Sequence, residues 1–77
     1  MSNSRSVTID LTTAKALVLI DFLARFNKLE GFAFEDQSEQ RVLWDLEAIL
    51  EKQLVEPFRP DYKKLLEQAR AEVRDES

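Results

Sequence analysis

Residues 14–29 read AKALVLIDFLARFNKL, a nearly continuous apolar segment in a chain of only 77 residues. At 100° per residue, the large hydrophobic side chains occupy most of the helical circumference, while Asp21, Arg25 and Lys28 share a polar wedge of about 60°. An ordinary surface helix has one apolar stripe, so this pattern predicts a central helix that ends near Lys28 and is covered on two or more sides. Asp21 and Arg25 are four residues apart, which is the spacing of an exposed ion pair on one helix face.

Two segments that flank this helix have the pattern of short strands. Residues 7–11, VTIDL, alternate apolar and polar side chains, which predicts a half-buried strand on the N-terminal side. Phe32–Glu35 are expected to form a second short strand or an extended loop, because phenylalanines two residues apart then share a face. Between the two segments, Thr12 or Thr13 is expected to cap the helix and Gly31 to terminate it.

Two further helices are predicted downstream. The second covers about residues 37–55, with Asp36 and Glu39 spaced as a capping box and Pro57 stopping the helix. The third covers about residues 60–74, because a proline at its first position is followed by one clean apolar stripe. These two helices are expected to form an antiparallel pair across the short connection between them.

The fold class that follows is mainly α: a three-helix small domain with one or two short β-strands on the N-terminal side. Residues 7–74 are expected to form one domain, between a flexible N-terminus at 1–6 and a flexible C-terminus at 75–77. The predicted core consists of Ile9, Leu19, Ile20, Leu23, Phe26, Leu43, Leu46, Ile49, Leu50, Leu65, Leu66 and Ala69.

The composition excludes the residues on which most catalytic mechanisms depend. The chain has neither cysteine nor histidine, which excludes disulfides, thiol nucleophiles and the commonest metal ligand. A single glycine cannot build a phosphate-binding loop. Glu47 and Glu51 are four residues apart on one helix face, where paired carboxylates are ordinarily solvated charges. We therefore predict that the protein is not an enzyme and has no catalytic residue, no cofactor and no metal site.

Charge and hydropathy limit which classes of partner and which cellular compartment the sequence predicts. The net charge is −4, and residues 31–60 carry seven acidic and three basic side chains. No segment is basic enough to hold a phosphate backbone, so the sequence disfavours nucleic acid as a partner. The longest uninterrupted apolar run, Ala16–Ile20, is far shorter than a membrane span, and no signal-peptide pattern precedes it. These features predict a cytoplasmic protein with no membrane segment.

A surplus of apolar side chains favours a protein partner. Trp44 lies on a second, narrower stripe of the second helix, where it either packs within the chain or anchors an interface. A domain this small has a thin core, a weakness that oligomerisation often relieves. We predict a small acidic protein–protein interaction module, such as an immunity- or antitoxin-like neutraliser or an assembly subunit. It would bind a protein partner or itself, with a homodimer favoured, through Trp44, Ala48, Val55, Phe58, Glu47 and Glu51.

The predicted order of strand, helix and helix over about residues 5–55 is similar to that of the ribbon-helix-helix fold. In that fold, paired N-terminal strands of two chains present polar residues to the major groove of DNA. The resemblance implies an alternative function, a dimeric DNA-binding regulator, with Arg5, Ser6, Thr8 and Asp10 at the matching positions. The chain departs from the pattern in the acidic Asp10, the scarcity of basic residues and the longer segment between the two helices.

Overall fold

The computed structural model describes residues 5–28 and 34–76. Within these ranges the chain forms three α-helices, α1 (Thr13–Phe26), α2 (Gln37–Gln53) and α3 (Tyr62–Arg74), and one turn of 3-10 helix at Glu56–Phe58. The mainly α class with three helices is therefore confirmed. None of the helices in the described part of the chain is both long and apolar enough to cross a bilayer.

The first helix begins at its predicted cap and ends slightly earlier than predicted. The Thr12 hydroxyl accepts a hydrogen bond from the backbone N–H of Lys15 at 3.2 Å, which satisfies a donor that the first turn would leave unpaired. At the other end, the N–H of Asn27 donates to the Leu23 carbonyl at 2.9 Å and closes the last turn. Gly31, the predicted terminator, lies outside the described residues.

The second helix begins at the predicted cap, Asp36, but its side-chain hydrogen bonds are each shifted by one residue from those of the predicted capping box. The Asp36 carboxylate accepts a hydrogen bond from the N–H of Ser38 at 2.8 Å. The Glu39 carboxylate reaches back and accepts one from the N–H of Glu35 at 2.9 Å. The bonds to Ser38 stabilise the ionised form of Asp36, and they lower the pKa of this carboxyl below its ordinary value.

The connection between α2 and α3 differs from the prediction at both ends. Leu54 leaves the helix with extended backbone angles, φ −103° and ψ 133°, and its side chain is buried. The second helix therefore ends before Val55, because Leu54 turns into the core. Pro57 then occupies the first turn of the 3-10 helix. The third helix begins at Tyr62 rather than at Pro60.

The predicted strands are wrong for the residues that the structure describes. Residues 7–11 belong to no strand, and Val7 and Ile9 are 80% and 77% exposed. A strand needs a second strand to pair its backbone, and the described residues of this single chain supply none. Residues 34–35 likewise form no strand, while 32–33 lie outside the described residues.

The described core surrounds α1. The predicted core residues that are buried are Ile20, Leu23, Leu50, Leu66 and Ala69. The partly buried ones are Leu19, Phe26, Leu43, Leu46 and Leu65. Two predicted core residues are exposed: Ile9, which has no partner strand, and Ile49, which lies on a flank of α2. The prediction omitted three buried residues, Ala16, Leu17 and Leu54.

The helices are arranged around α1 and not as a pair. The first helix packs against α3 most extensively and against α2 as well, so its predicted central position is confirmed. The predicted antiparallel pairing of α2 with α3 is wrong, since these two helices make at most marginal contact. An ion pair between Lys15 and Glu76, 3.1 Å long, also joins α1 to the end of the described chain.

Leu23 provides the most direct test of this arrangement. Its side chain is 1% exposed at the centre of the core. Leu23→Ala should lower the free energy of unfolding by about 2–5 kcal/mol, because it removes buried methyl groups and leaves a cavity. Urea denaturation followed by circular dichroism measures this loss. Val42→Ala, at a position 62% exposed, is the control and should change stability by no more than about 0.5 kcal/mol. Equal effects of the two substitutions would contradict the central position of α1.

Candidate functional site

The second helix exposes apolar side chains on two flanks. Its packed face contacts α1, and the two flanks lie on either side of that face. Trp44, on one flank, is 50% exposed. Val42 and Ile49, on the other flank, are 62% and 50% exposed. The helical rotation between Val42 and Trp44 is roughly 160°, so the two flanks face different surroundings.

A groove on the Trp44 flank contains half of the predicted partner-binding residues. This groove, which we call the acidic groove, has a volume of about 230 Å³ and lies between α1, α2 and the 3-10 turn. Its walls are formed by Ile20, Asp21, Ala24, Glu47, Glu51, Pro57, Phe58 and Tyr62. The structure therefore brings Glu47, Glu51 and Phe58 together, although they are spread over twelve positions of the sequence.

The other three predicted residues lie outside the lining of the acidic groove. By helical geometry Trp44 is one turn before Ala48 and two turns before Glu51, so it borders the groove along the outer side of α2. Ala48 is exposed on the same side. Val55 follows the end of α2 and is 68% exposed. Trp44 is half-exposed and does not belong to the described core of this chain.

The aspartate of the acidic groove is held by two arginines. The Asp21 carboxylate accepts hydrogen bonds from Arg25 Nε at 3.0 Å and from Arg70 Nη2 at 2.8 Å, and its side chain is only 21% exposed. The predicted pair with Arg25 is confirmed. The pair with Arg70 joins α1 to α3, and sequence analysis missed it because 49 residues separate the partners. Helical spacing reveals partners on one helix, but not partners on another.

The glutamates of the acidic groove are placed differently from Asp21. Glu47 is partly buried and accepts a hydrogen bond from the side-chain amide of Asn27, which links α2 to the end of α1. Glu51 is exposed at the rim. Within residues 5–28 and 34–76, no three acidic side chains lie close enough together to hold a metal ion. Glu47 and Glu51 place negative charge beside an apolar wall, whereas the charge of Asp21 is balanced by two arginines.

Tyr62 forms part of that wall and stays protonated at neutral pH. Burial raises the pKa of Tyr62 above its ordinary value of 10.0, the negative Asp21 adds to the rise, and Arg70 opposes it. A hydroxyl that stays protonated at neutral pH is not available as a general base there. The groove thus combines an aromatic and aliphatic wall with acidic groups, which suits contact with a basic and partly apolar surface.

A second groove lies on the opposite flank of α2. This groove, which we call the N-terminal groove, has a volume of about 450 Å³, and no charged side chain lines it. The lining residues are Ile9, Leu11, Thr13, Ala16, Leu19, Leu46, Ile49, Leu50, Gln53 and Leu54. Sequence analysis missed this groove because it placed Ile9 and Ile49 in the core. The sequence feature that could have pointed to this groove is the alternation of residues 7–11. It indicates that their apolar side chains share a face, but not what covers that face.

Comparison of the chain with protein-family models, with curated proteins and with solved structures finds no match. The acidic groove and the N-terminal groove are two of the surface grooves in the described part of the chain. They differ in chemistry, because the acidic groove carries three carboxylates and the N-terminal groove carries no charge. Different surfaces would therefore complement them.

The raised pKa of Tyr62 predicts how stability responds to alkaline pH. The folded chain prefers the neutral hydroxyl, so the contribution of Tyr62 is constant below pH 10.0 and is lost as pH rises through the folded pKa. Tyr62→Phe should abolish this part of the alkaline loss of stability. Urea denaturation of both proteins between neutral pH and strongly alkaline pH measures the difference.

Tyr62 is the only tyrosine, so the ultraviolet absorbance of its phenolate reports the pKa directly. Asp21→Asn should move that pKa toward 10.0, and a shift in the opposite direction would contradict the role of Asp21.

Proposed function

We propose that this protein is a small, non-catalytic protein–protein interaction module that binds a basic partner at the acidic groove. One observation carries the proposal: two large aromatic side chains, Trp44 and Phe58, are 50% and 75% exposed on the side of α2 that carries the carboxylates of Glu47 and Glu51. Aromatic side chains are enriched among the residues that dominate binding energy at protein interfaces. Large apolar groups collected at one place on a surface mark interaction sites.

Phe58 is suited to be an anchor because its backbone is fixed. Its N–H donates to the Val55 carbonyl at 3.0 Å, and the N–H of Arg59 donates to the Glu56 carbonyl at 3.0 Å. The 3-10 turn therefore fixes the backbone from which the ring projects. A partner that covers the ring orders the side chain but not the backbone that carries it, which limits the entropy lost on binding.

The charge of the region supports a basic partner. Residues 31–60, which contain α2 and the 3-10 turn, have a net charge of −4 from seven acidic and three basic side chains. Opposite charge on a partner would accelerate encounter and fix its orientation. A lysine or arginine could also lie over the Trp44 ring in a cation–π contact. The partner we propose presents basic side chains next to apolar ones.

A role without catalysis fits the residues available. The chain has neither histidine nor cysteine, and the raised pKa of Tyr62 keeps its hydroxyl protonated near neutral pH. A neutraliser of the immunity or antitoxin kind, or a subunit of an assembly, acts by covering a surface and needs no reactive group. The DNA-binding alternative is not favoured, because residues 7–11 form no strand in the described chain and phosphate groups would repel Asp10.

The proposal predicts that Trp44 and Phe58 are needed for binding. Wild-type protein immobilised on a resin should retain a basic protein from an extract of the native host. Trp44→Ser and Phe58→Ser should each weaken the binding of the purified partner at least tenfold, because an anchor of this kind contributes about 2 kcal/mol. Isothermal titration calorimetry measures the dissociation constants, and raising the salt concentration should weaken binding further.

Val42→Ser is the matched control for these variants. It removes an exposed apolar side chain from the same helix but from the opposite flank, so it should leave the affinity unchanged. Circular dichroism verifies that all three variants are folded. A partner that binds all variants equally, or a wild-type protein that retains none, would contradict the proposed function.

A further inference from the structure

We propose that copies of this chain associate head to tail, with the acidic groove of one copy bound to an uncovered side of α1 on the next. This side of α1, which we call the basic face, is lined by Lys15, Val18, Leu19, Phe22, Arg25 and Val73. The proposal rests on the proposed function, because it uses the acidic groove as a binding surface. It adds a second copy of the chain to the ligands of that groove.

The centre of the basic face is apolar and exposed. Phe22 is 48% exposed, and the partly buried Val18 and Leu19 extend the apolar surface by one turn along α1. On the helix, Phe22 is roughly 160° from the buried Ile20, so its ring points away from the core. The guanidinium carbon of Arg25 lies 5.9 Å from the centre of this ring. A cation is therefore placed beside an aromatic side chain that its own chain covers only in part.

The rim of the basic face carries surplus positive charge. Lys15 and Arg25 line this face, and no acidic side chain lines it. Lys15 pairs with Glu76, but Arg25 shares the single carboxylate of Asp21 with Arg70. Two guanidinium groups are thus balanced by one negative charge. The edge of the basic face is therefore positive, although the chain as a whole has a net charge of −4.

The acidic groove has the complementary arrangement. Among the described residues, neither Glu47 nor Glu51 forms an ion pair. The side-chain hydrogen bond to Glu47 comes from the uncharged amide of Asn27. Phe58 lies beside the two glutamates and is 75% exposed. A second copy would place its Phe22 against Phe58, where two aromatic rings attract each other, and its rim cations near the two carboxylates.

The two complementary surfaces face in different directions on one chain. On α1, Ala24 lines the acidic groove and Phe22 lines the basic face, and the two positions are roughly 160° apart around the helix. A copy bound at the acidic groove therefore leaves the basic face free for another copy. A contact between two different surfaces is heterologous, and it continues into a ring or a filament instead of ending at a two-fold dimer.

Two variants that each impair one of the surfaces test the contact. Light scattering at about 100 µM should give a mass above 9.0 kDa for wild type, and this mass should rise with concentration. Phe22→Glu adds negative charge to the basic face, and Phe58→Ser removes the aromatic ring from the acidic groove. Each should weaken self-association at least tenfold. Mixed in equal amounts, the two variants should form a complex of twice the monomer mass, because each supplies the surface that the other lacks. Raising the salt concentration should dissociate this complex.

Val42→Glu is the matched control for Phe22→Glu. It places the same charge at an apolar position that is 62% exposed and lines neither surface, so it should associate as wild type does. Phe22→Ser, which removes the ring without adding a charge, is a second variant of the basic face, and circular dichroism verifies that all variants are folded.

The outcomes also separate this proposal from the proposed function. A monomeric wild type, single variants that associate as wild type does, or a mixture that stays monomeric would each overturn the head-to-tail contact. Phe22→Glu leaves the acidic groove intact and should still bind a basic partner from the native host. Binding of that partner by a wild type that stays monomeric would overturn self-association alone and leave the proposed function in place.

Discussion

The burial of α1 is the constraint on which the rest of the structure depends. This helix is apolar around most of its circumference, and the described chain has only two other helices with which to cover it. Both helices direct their apolar stripes toward α1, which is why Leu23 reaches 1% exposure while α2 and α3 make at most marginal contact with each other. Even so, the cover is incomplete, because Phe22 on α1 remains 48% exposed.

Because α2 packs mainly on α1, two of its flanks remain uncovered, and the residues beside these flanks differ in charge. A helix packed on one neighbour buries one stripe, so the apolar residues of α2 beyond that stripe face solvent. The flank of Trp44 meets the aromatic ring of Phe58 and three carboxylates, whereas the flank of Ile49 meets only uncharged side chains. Electrostatic complementarity can discriminate between partners at the first surface, while shape and apolar area are the main determinants at the second.

The sequence is sufficient for features that depend on neighbours along the chain. It predicts the central position of α1, the caps at Thr12 and Asp36, and the ion pair of Asp21 with Arg25.

The sequence is insufficient for features that depend on a residue distant along the chain. The pair of Asp21 with Arg70 spans two helices, and Leu54 is buried because the backbone leaves α2 one residue earlier. The alternation of residues 7–11 specifies which side chains share a face, but strand formation also requires a second strand. Helical periodicity places Glu47 and Glu51 on one groove, whereas the 3-10 turn that adds Phe58 to its lining is not predicted by the sequence pattern.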